Sequence, residues 1–407
     1  MIIPIAWRNV WRNRVRSLVV IIAITLGIFA GVFATAFMKG MADHRIESAI
    51  ESETSHMQFH HKEYRQKDKL ELFIPAADKK LEKIRKLDEV KSASNRLKVG
   101  CMISAAGTAS GAKVLGIHPG EEKNVTDIHN QIITGSYFED VPGRVKPLVL
   151  GKKMAEKLNV QLRSRIVLNL TDINGNPTSA GFRVTGIYDT DNANYDGLHV
   201  FVRYRDLLEA TGMKEGAGHE IAVYLKQNDQ VKPVQKKLGS MFPQAEVATW
   251  KELSPDLSYL SSMMDQYTYI FIIIILLALC FGIINTMLMA VLERIKELGM
   301  LMAIGMNRRR VFSMIMTESV FLSLTGGVTG ILIGWATTQL TGATGIDMSM
   351  YAEGLQAMGW STIIYPDIGV ETLIGITFLV IVTGILSSIY PALKALKLNP
   401  ADSLRTE

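Results

Sequence analysis

Residues 268–292 contain no Asp, Glu, Lys, Arg or His, and as a helix they reach across a hydrocarbon core of ~30 Å. Lipid offers the backbone no hydrogen-bond partners, so a lipid-facing stretch of this length closes its bonds internally as a helix. A second apolar run starts near Val311 and continues to about Leu340. The segment between them, 293–310, is charged, with Leu292, Ile295, Leu298 and Met302 spaced to share one helical face. Gly305 is a natural helix stop, and Asn307 can cap the helix that follows. The expected unit is two membrane helices joined by a short helix with a mixed-charge surface. Such a helix would offer a rigid handle to a soluble partner.

Two further apolar runs, 17–38 and 371–391, raise the expected number of spans to four. A mean hydropathy of +0.18 with 20% charged residues describes a mosaic, part membrane and part soluble. The basic residues flank the spans: Arg8, Arg12, Arg14 and Arg16 before the first, Arg294, Lys296 and Arg308–Arg310 between the second and third, Lys394, Lys397 and Arg405 after the last. The 341–370 connection has no Lys or Arg. By the positive-inside rule both termini and 293–310 are cytoplasmic, and the other two connections are outside. The net charge of +5 therefore belongs to the membrane flanks, not to a nucleic-acid surface, because no basic patch with interleaved aromatics lies elsewhere. Cys280 falls in a span and Cys101 in the soluble part, so the two cysteines should not pair.

Along the chain, 1–16 reads as an interfacial helix, with Trp7 and Trp11 on one face. The 17–38 run is about twice the length of a signal-peptide core, so the Ala34-Thr35-Ala36 triplet is read as part of a span rather than a cleavage site. Gly27 and Gly31 form a G-x-x-x-G suited to helix packing. Residues 39–266 are large enough for a soluble domain with its own core. Alternating Leu97, Val99, Cys101 and Ile103 predict a strand after a helix at 78–87. Strand then helix follows at 148–150 and 152–158, a hairpin around Asn174-Gly175, and strand–helix–strand at 220–225, 231–238 and 246–249. This predicts two lobes: an α/β lobe from both ends of the insertion and a β-rich lobe at about 100–215. The fold class is thus membrane α-helical, four helices, with a large α/β extracytoplasmic domain between the first two. The domain plan is 1–16, 17–38, 39–266, 267–292, 293–310, 311–340, 341–370, 371–391 and a cytoplasmic tail at 392–407. In 311–340, Gly326, Gly330 and Gly334 make a smooth strip for a neighbouring helix, and Glu318 must be paired or near the surface.

Chemical sites are sparse. His56, His60 and His61 could ligate a metal, but Met57-Gln58-Phe59 reads better as a strand and carboxylates nearby are few, so surface histidines are expected. Residues 143–153 imitate a P-loop without Gly-Lys-Ser/Thr in register. No catalytic or metal-binding residues and no cofactor are assigned, and the chain is not expected to hydrolyse ATP. The spans carry little ordered polarity, which argues against a pore for charged solutes.

The stretch ERIKELGMLMAIGMNRRRVFSMIMTES, followed by GGVTG, resembles the FtsX-like permease domain of ABC transporters, whose members include lipoprotein-releasing and macrolide-exporter permeases. The matching positions are Glu293, Arg294, Glu297, Leu298, Gly299, Ala303, Gly305, Arg308, Glu318, Gly326, Gly327 and Gly330, with Tyr390-Pro391-Ala392 and Asn399-Pro400-Ala401-Asp402 near the end. Residues 345–360 and 248–257 look most like the lipoprotein-releasing branch. The resemblance implies a permease subunit, homo- or heterodimeric, in the inner membrane with partner ABC ATPase subunits that bind ATP and magnesium. It implies release of lipoproteins, toward a periplasmic acceptor, by mechanical coupling; macrolide-type efflux and a scaffold regulating cell-wall hydrolases are the alternatives. The ATPase-coupling residues it implies are Glu293, Arg294, Glu297, Leu298, Gly299, Met302, Ala303 and Gly305.

Overall fold

The computed structural model describes residues 2–138 and 146–396. The stretch 397–407, with Asn399-Pro400-Ala401-Asp402 and most of the expected tail, lies outside them, as do Gly143-Arg144-Val145 of the P-loop imitation. Four helices among the described residues are long and apolar enough to cross a membrane. They are the first span helix Arg14–Ala49, the second Pro255–Glu293, the third Arg308–Thr344 and the fourth Val370–Leu396. Two of them outrun their apolar runs. The first does not stop at residue 38, because 39–49 holds a single glycine, no proline and mostly helix-compatible residues. It ends in a π turn, Ile50–Thr54. The second starts a full three turns early, on Pro255, where the missing N–H costs nothing.

The chain divides into two units, one of Met1–Ala42, Ser262–Asp347 and Ile363–Glu407, the other of Asp43–Ser261 and Met348–Thr362. The second therefore includes part of the 341–370 connection as well as the insertion, and its start lies at 43 rather than 39.

In the membrane unit, small residues set the helix contacts. A Cβ on Gly330 would lie 2.8 Å from the Thr25 carbonyl oxygen and 2.9 Å from Ile28 Cβ. Gly326 and Gly334 meet Ile24 and Val32 in the same way, and the Thr25 and Thr329 hydroxyls share a 2.7 Å hydrogen bond beside them. The three-glycine strip thus faces the first span. Gly27 and Gly31 face the second, against Leu279 and Ile275. Gly330→Leu is expected to force the first and third spans apart, costing about 1–3 kcal/mol or more. Leu332→Ala, at a position 57% exposed, should leave assembly intact. Thermal stability in detergent separates the two; equal tolerance would mean that the strip does not govern packing.

The inserted unit is built on strands β1 (Met57–His61), β2 (Val90–Ala105), β3 (Thr108–Ile117), β4 (Ile132–Gly135), β5 (Pro147–Gly151), β6 (Arg165–Thr171), β7 (Pro177–Tyr188), β8 (His199–Arg203), β9 (Glu220–Leu225) and β10 (Ala245–Thr249). Their order is β10-β1-β9-β2-β3-β8-β5-β7-β4, with β6 pairing β2 and β7. The long β2 belongs to two lobes. Its first half pairs β9 over a core of Phe59, Leu81, Ile84, Ile221 and Leu238, and its second half pairs β3 over a core of Leu97, Ile103, Leu148, Phe182 and Val200. The β6–β7 hairpin turns at Gly175 (φ +86°), with the Asp172 carboxylate accepting from the amides of Asn174 and Asn176.

At the crossover in β2 sits Arg96, fully buried. It reaches Glu122 at 2.6 Å and Glu220 at 2.5 Å, both carboxylates equally buried, and Lys98 approaches Glu220 at 3.4 Å. The histidines of this region are not surface groups. His56 and His60 are 7% and 2% exposed. His60 uses both ring nitrogens, on the His219 carbonyl and the Gln58 side chain, and stacks on Tyr64; His56 accepts from the Leu225 amide. Burial pushes both imidazoles down, His56 to about 4, so they pack as neutral polar groups of the strand core. Only His61, at the end of β1, is partly open to solvent.

Candidate functional site

The 293–310 segment folds between two terminators. The second span helix ends at Glu293, Arg294 leaves helical geometry (φ −104°, ψ 18°), and a short helix runs Ile295–Ala303. Gly305 takes φ +99°, where an L side chain would be strained. There its amide bonds the Met302 carbonyl at 3.1 Å and the Met306 amide bonds that of Leu301 at 3.0 Å, which is a Schellman ending. Asn307 then caps the third span helix by accepting from the Arg309 amide at 3.1 Å. Both the stop and the cap fall where the residue types place them.

The short helix is anchored on one side and open on the other. Leu298 and Gly299 are buried, Leu298 within the cluster that holds Val291 and Val311. Met302 is half-buried against the same cluster. Outward lie Lys296, Ala303, Met300 (51% exposed) and Ile304 (81%). An apolar pair this open on a polar surface marks a contact surface more readily than a fold-stabilising one.

Behind the helix runs a charge relay. Arg12, from the helix Ile2–Arg12, forks onto both Glu297 oxygens at 2.7 Å. Arg294 bonds Glu297 at 3.1 Å and, through Nη1, Glu318 of the third span at 3.1 and 3.3 Å. The Asn9 amide donates to Glu318 at 2.6 Å. Hydrogen bonding from Arg12, then from Arg294, holds the Glu297 carboxyl below the usual glutamate range. The Arg12–Glu297 pair is exposed on both sides and contributes only about 0–1 kcal/mol, while the Arg294–Glu297 pair is open on the Glu297 side alone. The Glu318 pair is different, because Arg294 and Glu318 side chains are 19% and 10% exposed. Trp7 also anchors the N-terminal helix, edge-on to Phe321 at 5.4 Å between ring centroids. A cavity of about 320 Å³ opens among Asn9, Arg12, Arg294, Glu297 and Glu318.

The expected coupling residues therefore divide. Glu293, Ala303 and Gly305 are exposed; Glu297 and Met302 are partly covered; Arg294, Leu298 and Gly299 face the chain itself. Sequence reasoning missed Met300 and Ile304 as the outward apolar pair, and it missed Asn9 and Arg12 as partners of residues about three hundred positions away. The signal for the first was available in the helical periodicity. For the second there was none beyond an Asn and an Arg on a helix expected to lie at the membrane surface.

Residues 17–241 match the family described as MacB-like periplasmic core domain, and residues 269–400 match that described as FtsX-like permease C-terminal. The chain belongs to the FtsX-like permeases that carry a MacB-like periplasmic core domain, ABC transporter permeases of the FtsX/MacB/LolC type. It is 27% identical over 232 residues to an uncharacterized ABC transporter permease of Methanocaldococcus jannaschii, covering 56% of this chain and 55% of that one. It is 21% identical to the lipoprotein-releasing system transmembrane protein LolC of Neisseria meningitidis, over 75% of this chain and 76% of LolC. With the macrolide export ATP-binding/permease protein MacB of Bdellovibrio bacteriovorus it shares 36% identity over 131 residues, 31% of this chain and 17% of that one. The match thus spans about half of the archaeal relative and a small part of MacB.

Proposed function

We propose that this chain is the membrane subunit of an ABC complex in the inner membrane. It works with separate ATPase subunits, which bind the ATP and magnesium, and with a second permease chain. Its termini and the short helix Ile295–Ala303 are cytoplasmic, and the inserted unit is outside, in keeping with the basic flanks. The observation that carries this reading is the exposed Met300–Ile304 pair on a helix whose inner side is tied to the third span through Arg294 and Glu318. A partner seated on that pair would pull on the span through a buried ion pair rather than through a flexible loop.

The substrate proposed is a lipid-anchored protein, handed to a periplasmic acceptor. The apolar spans suit acyl chains, and the polar body of the cargo suits the large inserted unit. Moving an acyl chain into water costs ~0.8 kcal/mol per CH₂, so the step needs ATP and an acceptor with an apolar cavity. Similarity to LolC over 75% of this chain and 76% of LolC supports this branch. Complex reconstituted in vesicles is expected to release a triacylated lipoprotein only with ATP and an acceptor, and depletion should leave outer-membrane lipoproteins in the inner membrane. Normal lipoprotein distribution with raised drug sensitivity would favour efflux instead. A partner ATPase indifferent to lipopeptide, in cells with defective wall hydrolysis, would favour the scaffold.

A further inference from the structure

The loop Met348–Thr362 groups with the inserted unit, although its two ends run on into the third and fourth span helices. Its neck is closed by the Met348 amide on the Thr362 carbonyl at 2.7 Å, and its body carries the helix Ala352–Ala357. Two contacts hold the loop. The Asn194 side chain donates to the Ala357 carbonyl at 3.0 Å. Gly359, at φ +76°, lies against the Arg45 guanidinium, where a Cβ would come within 2.8 Å of Nε. Both contacts lead back to one buried carboxylate. Asn194 belongs to the one-turn helix Ala193–Asp196 between β7 and β8, capped by the Asn192 side chain, which accepts from the amides of Asn194 and Tyr195. The Asn192 side-chain amide donates to Glu53 at 3.0 Å, and the same carboxylate accepts from Arg45 at 2.9 Å. The Asn192 backbone amide donates to the Thr190 hydroxyl at 3.1 Å, and that hydroxyl donates to Asp196 at 2.7 Å. The Thr190 amide donates to the other Asp196 oxygen at 2.9 Å, and Asp196 is 1% exposed.

We infer that the 348–362 loop is a strap latched to the inserted unit through the turn 190–197, and that protonation of Asp196 closes the latch. The groups around Asp196 set the direction. Tyr188 and Asp189 face it from the end of β7, Tyr195 from its own turn and Glu53 from the π turn. From the helix Lys152–Leu158, Lys152 is held on Asp189 at 2.7 Å and Lys157 on the Gly197 carbonyl at 3.2 Å. Burial pushes the Asp196 carboxyl up to about 7, and Asp189 and Glu53 add to it, against the two Thr190 bonds. A carboxyl raised in the closed turn stabilises that turn fully below its ordinary value of 3.8, and the contribution is lost as pH rises from there to about 7. Above that pH the ionised group draws water into the turn, and Asn192 and Asn194 leave their places with it. The strap is then released. While closed, it carries load between the chain ends at 347 and 363 and the inserted unit. The inference rests on bonds within the inserted unit; the orientation proposed above adds that the pH sensed is that outside the membrane.

The test is hydrogen exchange on the full-length protein in nanodiscs at pH 6 and pH 8, each rate divided by the intrinsic exchange rate at that pH. Two segments are read, 189–197 and 352–360. Both should open about tenfold more often at pH 8 than at pH 6. Asp196→Asn keeps the shape and stays neutral, so both segments should keep their pH 6 protection at pH 8. Asn194→Ala, at an exposed position, cuts one strap contact without touching Asp196, so it keeps the proposal testable if Asp196→Asn does not fold. It should loosen 352–360 about fivefold at pH 6 while 189–197 keeps its response to pH. Protection of 189–197 that does not change with pH overturns the proposal. So does a strap that stays closed while 189–197 opens, or one indifferent to Asn194→Ala. A response that survives in Asp196→Asn assigns the titration to another group and overturns it equally.

Discussion

Arg96→Met is expected to unfold the crossover of the inserted unit. The substitution keeps an unbranched apolar stem and removes the guanidinium that both buried carboxylates bond, leaving Glu220 with Lys98 at 3.4 Å and Glu122 without its Arg96 partner. Breaking one partner out of such a group costs about 3–5 kcal/mol, much of the roughly 5–15 kcal/mol that holds a domain folded. Because β2 serves both lobes, the damage should appear in both. In the full-length protein, hydrogen exchange at the amides of β2, β3 and β9 should quicken by about a factor of 100 or more, while the span helices keep their protection. Unchanged exchange at β9 would show that the triad does not hold the lobes. The pH dependence has a defined sign. Burial alone would raise the Glu220 carboxyl, but Lys98 and then Arg96 lead the charges that outweigh it and hold the group at about 2, below the ordinary value of 4.5. A depressed carboxyl stabilises the fold above its unfolded pKa, and that contribution is lost as pH falls from about 4.5 toward 2. The wild-type crossover should therefore loosen only in strong acid, and in the Arg96→Met protein, where Lys98 still approaches Glu220 at 3.4 Å, that transition should move to higher pH.

How much of this was legible beforehand differs between the two units. The spans, the short helix with its stop and cap, and most strands of the insertion follow from local rules. Apolar length, a glycine needing φ above zero, an Asn before a helix and strict alternation each act within a few residues. The glycine strip was legible as a strip, although only the structure assigns Gly326, Gly330 and Gly334 to the first span and Gly27 and Gly31 to the second. What was hidden depends on contacts between distant segments. His56 and His60 read as surface groups because polar side chains near a membrane exit usually are. Their partners, His219 just before β9 and Leu225 at its end, lie more than one hundred and fifty residues on. Arg96 was not singled out from the sequence, since nothing local announces Glu122 and Glu220. Helix ends were the other failure. Hydropathy marks where lipid stops, but Lys39 to Ala49 and Pro255 to Gln266 are polar helices that continue regardless.

Arg294→Leu should be poorly folded, and Arg294→Leu with Glu318→Leu should be folded again. In the single variant Glu318 keeps only the Asn9 amide at 2.6 Å, and a carboxylate within a span costs about 2.5–3.5 kcal/mol when it lacks a counter-charge. Replacing both members of a buried pair with apolar residues of similar size is often neutral, or even stabilising by about 1–4 kcal/mol. Thermal stability in detergent should therefore fall sharply in the single variant and recover in the double one. Coupling should not recover with it. In the native chain Arg294 bonds the third span and the short helix at once, and Arg12 extends that tie to the N-terminal helix. Two leucines can pack, but they carry no directional bond to Glu297, so a push on Met300 and Ile304 would reach the third span only through yielding apolar contacts. With a partner ATPase, the double variant is expected to assemble and hydrolyse ATP while losing stimulation by lipopeptide. A double variant that stays as unstable as the single one would mean that Arg294 stabilises the fold by something other than pairing with Glu318. One that is stable and fully stimulated would confine the ion pair to folding, and would leave the packing of Leu298 and Gly299 to transmit the motion.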